Sequence, residues 1–266
     1  MSVQTIQRAG AKIVYDVRGS GPALLLLHPF PTNRNFWEPL VPAFESRYRL
    51  IVPDLRGHGE SGAGDGASMA NQAEDVHHIL RECAVERAAF IGVSIGGYLL
   101  FEFWRRFRQQ VALLVLSNTR AQADSDEGRA NRLKAAGEVE KNGTAAFLDA
   151  MLPKLLGAST HRNRPDIVSR ARTMMDAMSR EGLAAVQRGM ASRPDSVETI
   201  GSINVPALIV RGEEDVLIPA QDAELMHRKI AGSQIVSIPQ TGHYTPFERP
   251  EEFLKVVRPF LERTRV

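Results

Sequence analysis

The chain has 266 residues, 43% of them hydrophobic and 24% charged, and a formal net charge of only +2. With 15 prolines and 21 glycines spread along it, this composition excludes disordered, collagen-like and coiled-coil readings. One cysteine, Cys83, excludes an intrachain disulfide, and the near balance of charge leaves no basic stripe for nucleic acid.

Met1–Gly10 lacks the apolar core of a secretory signal. Lys12–Val17 alternates weakly and reads as a strand. Ala23–Leu27 is a continuous apolar run of strand length, as expected for a strand covered on both faces. A helical pattern at Phe36–Phe44 leads to a third strand, Leu50–Pro53. Met69–Cys83 reads as a helix with Cys83 as a small buried hydrophobe near its end. Strand Arg87–Val93, helix Gly97–Phe107 and strand Val111–Leu116 follow, with Arg105, Arg106 and Arg108 as the solvated helix end. From Ala121 to Pro194 no strand pattern occurs. Ala130–Lys141, Thr144–Leu156, Pro165–Met178 and Gly182–Ala191 read as helices, punctuated by glycine and proline. Strand Ala207–Val210, helix Ala220–Ala231, strand Gln234–Ile238 and helix Glu251–Arg263 complete the chain. No apolar run approaches the ~20 residues that span a bilayer. A cytoplasmic protein with neither membrane nor nucleic-acid partner is expected.

Alternation of buried strands with helices predicts a parallel sheet with helices on both faces. The first two predicted strands read as an antiparallel hairpin at the sheet edge. Residues 1–120 and 195–266 are expected to form the core, and 121–194 an all-helical lid over the C-terminal sheet edge, where such sheets place their sites. Five of the eight methionines fall in that segment. Three of them, Met151, Met174 and Met178, are expected with Phe30 to line an apolar substrate pocket, filler between lid helices being the plainer role.

The string Gly92-Val93-Ser94-Ile95-Gly96 places a serine between a predicted strand and a predicted helix. A tight strand-to-helix turn projects its hydroxyl outward. The residues two before and two after it come close together, which only small side chains permit. The helix start also sets backbone N–H groups and the positive dipole end beside developing negative charge.

With this elbow, Leu27-His28-Pro29-Phe30-Pro31 and Asp54-Leu55-Arg56-Gly57-His58-Gly59-Glu60-Ser61, the chain resembles the α/β-hydrolase superfamily over nearly its whole length. It looks most like the small helical-lid serine esterases and lactonases. The resemblance implies a mostly parallel eight-stranded sheet with the lid inserted after the sixth strand. It also implies the base, His243, in Gln240-Thr241-Gly242-His243-Tyr244, and the acid, Asp215, in Arg211-Gly212-Glu213-Glu214-Asp215. Chain order is then Ser94, Asp215, His243, as expected for this fold. Some relatives carry the acid after the sixth strand, where this chain reads Ser117-Asn118-Thr119 without a carboxylate. His28 and His58 read as structural hydrogen-bonders, His77 and His78 as solvated, and Glu213 and Glu214 as loop charges.

Acyl transfer needs two donors for its oxyanion. The expected ones are the N–H of Ile95 and the N–H of Phe30. Pro29, standing where relatives usually carry glycine, has no N–H to give. Ser94 in place of Asp excludes the alkyl-enzyme route of dehalogenase relatives, and Ile95 stands where perhydrolases and many C–C hydrolases carry Met. Gly62-Ala63-Gly64-Asp65-Gly66 lacks dinucleotide-loop spacing and no metal-ligand spacing occurs, so neither cofactor nor metal is expected. The expected function is hydrolysis of a small ester or lactone through an acyl-enzyme. Two other readings keep the same triad: a C–C bond hydrolase, and a slow-turnover ligand receptor.

Overall fold

A computed structural model describes residues 2–263. Its centre is one eight-stranded sheet: β1 (Ser2–Arg8), β2 (Ala11–Arg18), β3 (Ala23–Leu27), β4 (Arg49–Pro53), β5 (Ala88–Val93), β6 (Val111–Ser117), β7 (Ala207–Gly212) and β8 (Gln234–Ile238). Their spatial order is β1-β2-β4-β3-β5-β6-β7-β8. β3 to β8 run parallel, whereas β2 is antiparallel to both its neighbours. β1 was not anticipated, because Ser-Val-Gln-Thr-Ile-Gln-Arg is mostly polar and its side chains are exposed or half-buried at the edge. The edge hairpin is therefore β1–β2, and β3 lies inside the sheet between β4 and β5.

Every residue of β3, β5 and β6 is buried, because helices cover both faces. Truncating one of the leucines Leu24–Leu27 to alanine costs about 2–5 kcal/mol in such a core. Before the insertion come α1 (Val41–Glu45), α2 (Met69–Glu82) and α3 (Ile95–Phe107). The continuous helix expected over Phe36–Phe44 is instead a 3-10 turn at Arg34–Trp37 followed by α1. Pro39, lacking an N–H, falls between the two pieces, and Pro42 occupies the first turn of α1, where a missing donor is tolerated.

The insertion between β6 and β7 contains only helices: α4 (Asp126–Asn142), α5 (Ala145–Leu155), α6 (Ala158–Asn163), α7 (Pro165–Asp176), α8 (Arg180–Ala191) and α9 (Val197–Ile200). Ser125 and Ser179 cap α4 and α8 by accepting from Gly128 N and Gly182 N. α10 (Ala220–Lys229), α11 (Thr245–Glu248) and α12 (Pro250–Arg263) close the chain. No described helix is long and apolar enough to cross a membrane.

Register brings the strand ends level. Leu27 pairs with Gly92, Val93 with Ser117, and Ser117 with Val210. The residues that follow, His28, Ser94, Asn118 and the Gly212–Asp215 loop, therefore emerge along one carboxyl edge. The insertion leaves the sheet at that same edge.

Candidate active site

Ser94 sits between β5 and α3 with φ 54° and ψ −112°, a left-handed backbone that a non-glycine residue adopts only under constraint. The constraint is visible. A Cβ on Gly92 would meet the Gly96 carbonyl group at 2.7 Å, and one on Gly96 would meet the Leu27 oxygen at 2.6 Å. Ser94 N donates to the Ser117 oxygen at 3.0 Å, and the Thr119 hydroxyl donates to the Ser94 oxygen at 2.8 Å. The elbow is thus held to β6 through its main chain.

His243 lies on the loop between β8 and α11. Its Nδ1 is 2.9 Å from Asp215 Oδ2, and both side chains are buried. An ionised carboxylate only accepts, so Nδ1 carries the proton and Nε2 is left as the acceptor. Asp215 also receives Leu217 N at 2.8 Å and Ile218 N at 3.1 Å on Oδ1, and the Asn118 amide at 2.9 Å on Oδ2. Burial pushes the Asp215 carboxyl up; the neighbouring imidazole and these donors outweigh it and hold it below the usual range.

The histidine loop is fastened from behind by Glu248, a buried carboxylate. Glu248 accepts from Gly242 N at 2.9 Å and Tyr244 N at 3.2 Å, the two amides flanking His243. It also accepts from Gly157 N at 2.8 Å and the Thr160 hydroxyl at 2.6 Å, both in the helical insertion. Burial pushes the Glu248 carboxyl above its ordinary value in spite of these donors. Glu214 makes a parallel tie, accepting from Ser159 N at 2.8 Å and the Ser159 hydroxyl at 2.5 Å, so it is more than a loop charge.

The Tyr244 hydroxyl donates to the Phe30 oxygen at 3.1 Å and so joins the histidine loop to the loop after β3. Ile95 is the first residue of α3, where a helix N–H has no intrahelical acceptor. Phe30 and Ile95 thus stand on the two loops expected to supply oxyanion donors.

Ser94, His243 and Phe30 line one cavity of about 360 Å³, within the usual range for small-molecule sites. Met151 lines it too. Met174 and Met178 do not: they are buried in the hydrophobic core, where α7 packs against α5 and the 3-10 turn. Met190, on α8, faces the cavity instead. Its lining also carries the polar side chains of Arg120, Asp124, Arg132 and Gln187.

A family model described as the alpha/beta hydrolase fold matches residues 22–250. The chain belongs to this family. Among solved structures it is similar to a thermophilic esterase from Thermogutta terrifontis, determined with malate bound, at 34% identity and a TM-score of 0.95, covering 99% of this chain and 100% of that one. It is similar to the enol-lactonase from Burkholderia xenovorans LB400 at 26% identity and a TM-score of 0.90, covering 97% and 100%. Among curated relatives, 3-oxoadipate enol-lactonase 1 of Acinetobacter baylyi is 27% identical over 98% of this chain and 97% of its own. The protein is a hydrolytic enzyme of the esterase and lactonase type on the alpha/beta hydrolase fold.

The remaining histidines of this hydrolase have other work. His28 Nε2 accepts from Leu55 N at 2.9 Å, and His58 packs edge-on against both His28 and Phe30. Burial lowers the first to about 4 and the second to about 3, so both are neutral imidazoles supporting the loop after β3. His77 is half-buried, stacked 4.2 Å from the Phe107 ring, rather than solvated. Among the described residues no group of three or more His, Cys, Asp or Glu could hold a metal. Sequence reasoning passed over Asn118, Glu248 and the Arg120–Asp124–Arg132 wall. Asn118 had a signal in its place straight after β6. The others lie outside any motif and meet only through folding.

Proposed function

We propose that the protein hydrolyses small carboxylic esters or lactones through an acyl-enzyme formed on Ser94. The observation that carries this reading is that a serine held in left-handed geometry at a helix start shares a cavity with an imidazole whose other nitrogen is gripped by a buried carboxylate. Ser94 Oγ attacks the substrate carbonyl while His243 Nε2 takes its proton. The Ile95 and Phe30 amides receive the oxyanion, each donor typically worth about 10²–10³ in rate. The intermediate collapses, His243 returns the proton to the leaving oxygen, and water then releases the acid by the same route. Asp215 holds the tautomer and stabilises the imidazolium throughout. The similarity to an enol-lactonase and to an esterase supports this choice of bond.

The test is turnover of aryl esters graded by acyl length, together with simple lactones, by wild type and Ser94→Ala. The variant is expected to lose about 10⁴–10⁶ in kcat and keep its circular dichroism spectrum. Equal rates from the two proteins would remove Ser94 from the reaction. Near-stoichiometric hydrolysis followed by tight retention would identify a receptor instead of an enzyme.

A further inference from the structure

The loops that carry Asp215 and His243 leave the sheet from different strands, β7 and β8, and a third element ties them together. That element is Gly157-Ala158-Ser159-Thr160, at the start of α6 in the helical insertion. Glu214, the residue before Asp215, accepts from Ser159 N at 2.8 Å and from the Ser159 hydroxyl at 2.5 Å. Glu248 divides its two oxygens between the histidine loop and the insertion. Its Oε1 accepts from Gly242 N at 2.9 Å and Tyr244 N at 3.2 Å. Its Oε2 accepts from Gly157 N at 2.8 Å and the Thr160 hydroxyl at 2.6 Å. The two loops also meet directly, Glu214 N donating to the Thr241 oxygen at 2.8 Å. Asn118 braces them from β6, its amide reaching Asp215 Oδ2 at 2.9 Å and the Gly242 oxygen at 3.1 Å.

The insertion approaches closely enough to demand glycine. A Cβ on Gly157 would lie 2.6 Å from Glu214 Oε2 and 2.8 Å from Gly242 N, so a side chain there would push the insertion off both loops at once. Ser159, Thr160 and Glu248 are buried, where a hydrogen bond is shielded from water and an unmet donor or acceptor is costly. None of Gly157, Ser159, Thr160, Glu214 and Glu248 lines the cavity that holds Ser94 and His243. Any effect of theirs on the reaction therefore runs through the placement of Asp215 and His243.

We propose that the 157–160 segment is a splint that sets Asp215 and His243 relative to each other, with Glu214 and Glu248 as positioning residues, so that the helical insertion holds the base as well as covering the cavity. This rests on the hydrolytic reading above, in which His243 carries the proton. Releasing the splint frees the histidine loop to shift, and a misplacement of about 1 Å at a reacting group costs about 10² in rate.

The experiment uses Ser159→Ala and Thr160→Val, singly and combined. Both remove hydroxyl donors on the insertion side and leave the Gly242 and Tyr244 amide bonds to Glu248 in place. Two quantities are measured: steady-state turnover of 4-nitrophenyl esters, and the deshielded proton signal of His243 Nδ1–H in proton NMR, identified by its absence from His243→Ala. The double variant is expected to lose about 10–100-fold in kcat with KM within about threefold of wild type. Its His243 signal should shift or broaden while circular dichroism stays that of wild type, and each single variant should lose less. Glu248→Gln turns an amide N–H₂ toward one pair of donors and should lose at least as much as the double variant; if it fails to fold, the hydroxyl variants decide. A double variant with kcat within about twofold of wild type and an unmoved His243 signal overturns the splint, even if its melting temperature falls, because the ties then serve stability alone. No ester turnover by wild type would overturn the hydrolytic reading. The NMR signal would then decide for the splint by itself, a shift in the double variant keeping it and constancy overturning it.

Discussion

The two walls of the cavity are built by different physics. On the sheet side, Ser94, Asp215 and His243 are positioned by backbone: a left-handed turn between two glycines, amide donors to Asp215, and two amides beside His243 seated on Glu248. On the insertion side, Arg120, Asp124 and Arg132 are positioned by side-chain ion pairs, with the Gln187 amide oxygen also accepting from Arg132 Nη1. Backbone anchoring fixes atoms within narrow limits, which bond-making needs. Ion pairs between long side chains tolerate adjustment, so this side of the cavity is the less rigidly held of the two. The contrast is between groups fixed by main chain at the strand ends and groups held by side chains in the insertion laid over them.

The comparison breaks first at the sheet-side wall. Asp215→Asn should cost about 10³–10⁴ in kcat with the fold retained, because the wrong histidine tautomer is then stabilised. Full activity in steady-state assays of that variant would move the acid elsewhere. Gly96→Ala drives a Cβ to 2.6 Å from the Leu27 oxygen and parts α3 from β3. We expect a loss of about 2–3 kcal/mol in denaturant unfolding, together with impaired turnover. Asn118→Ala removes one of the four hydrogen bonds to Asp215 and leaves the imidazole bond in place. Its kcat should fall by only about tenfold with KM little changed, and a loss as large as that of Asp215→Asn would show Asn118 to be the controlling group.

The smallest effect sharpens the insertion-side wall. The Asp124 carboxyl is depressed to about 2 from an ordinary 3.8, so its stabilising contribution is present above about pH 4 and is lost as pH falls through about 2. Against Asp124→Asn, wild type should melt about 2–6 °C higher near neutral pH. The gap should close between pH 4 and pH 2 in scanning calorimetry. A gap independent of pH would mean that Asp124 acts by shape and not by charge.

Much of this was legible without coordinates. Apolar runs such as Ala23–Leu27 and Val111–Leu116 announce buried parallel strands because only a strand covered on both faces dispenses with alternation. The elbow serine was legible because close approach demands glycine at fixed spacing. β1 was missed because an edge strand is not required to be apolar, and α6 because its start is set by Glu214, far off in sequence. Met174 and Met178 were placed at the cavity because methionine serves core and pocket equally well; which one it serves depends on how a helix is rotated.

By itself, then, the sequence determined the alternating architecture, the serine turn and the order of the chemical groups along the chain, since these follow from local sterics and periodicity. Tertiary structure alone decided that Asn118 reaches Asp215, that Glu248 ties the histidine loop to the helical insertion, and that three arginines converge on Asp124. The Asn118–Asp215, Glu248–Gly157 and Arg193–Asp124 meetings join residues 69 or more positions apart, and no short-range rule of spacing carries the information that brings such groups together across a folded interior.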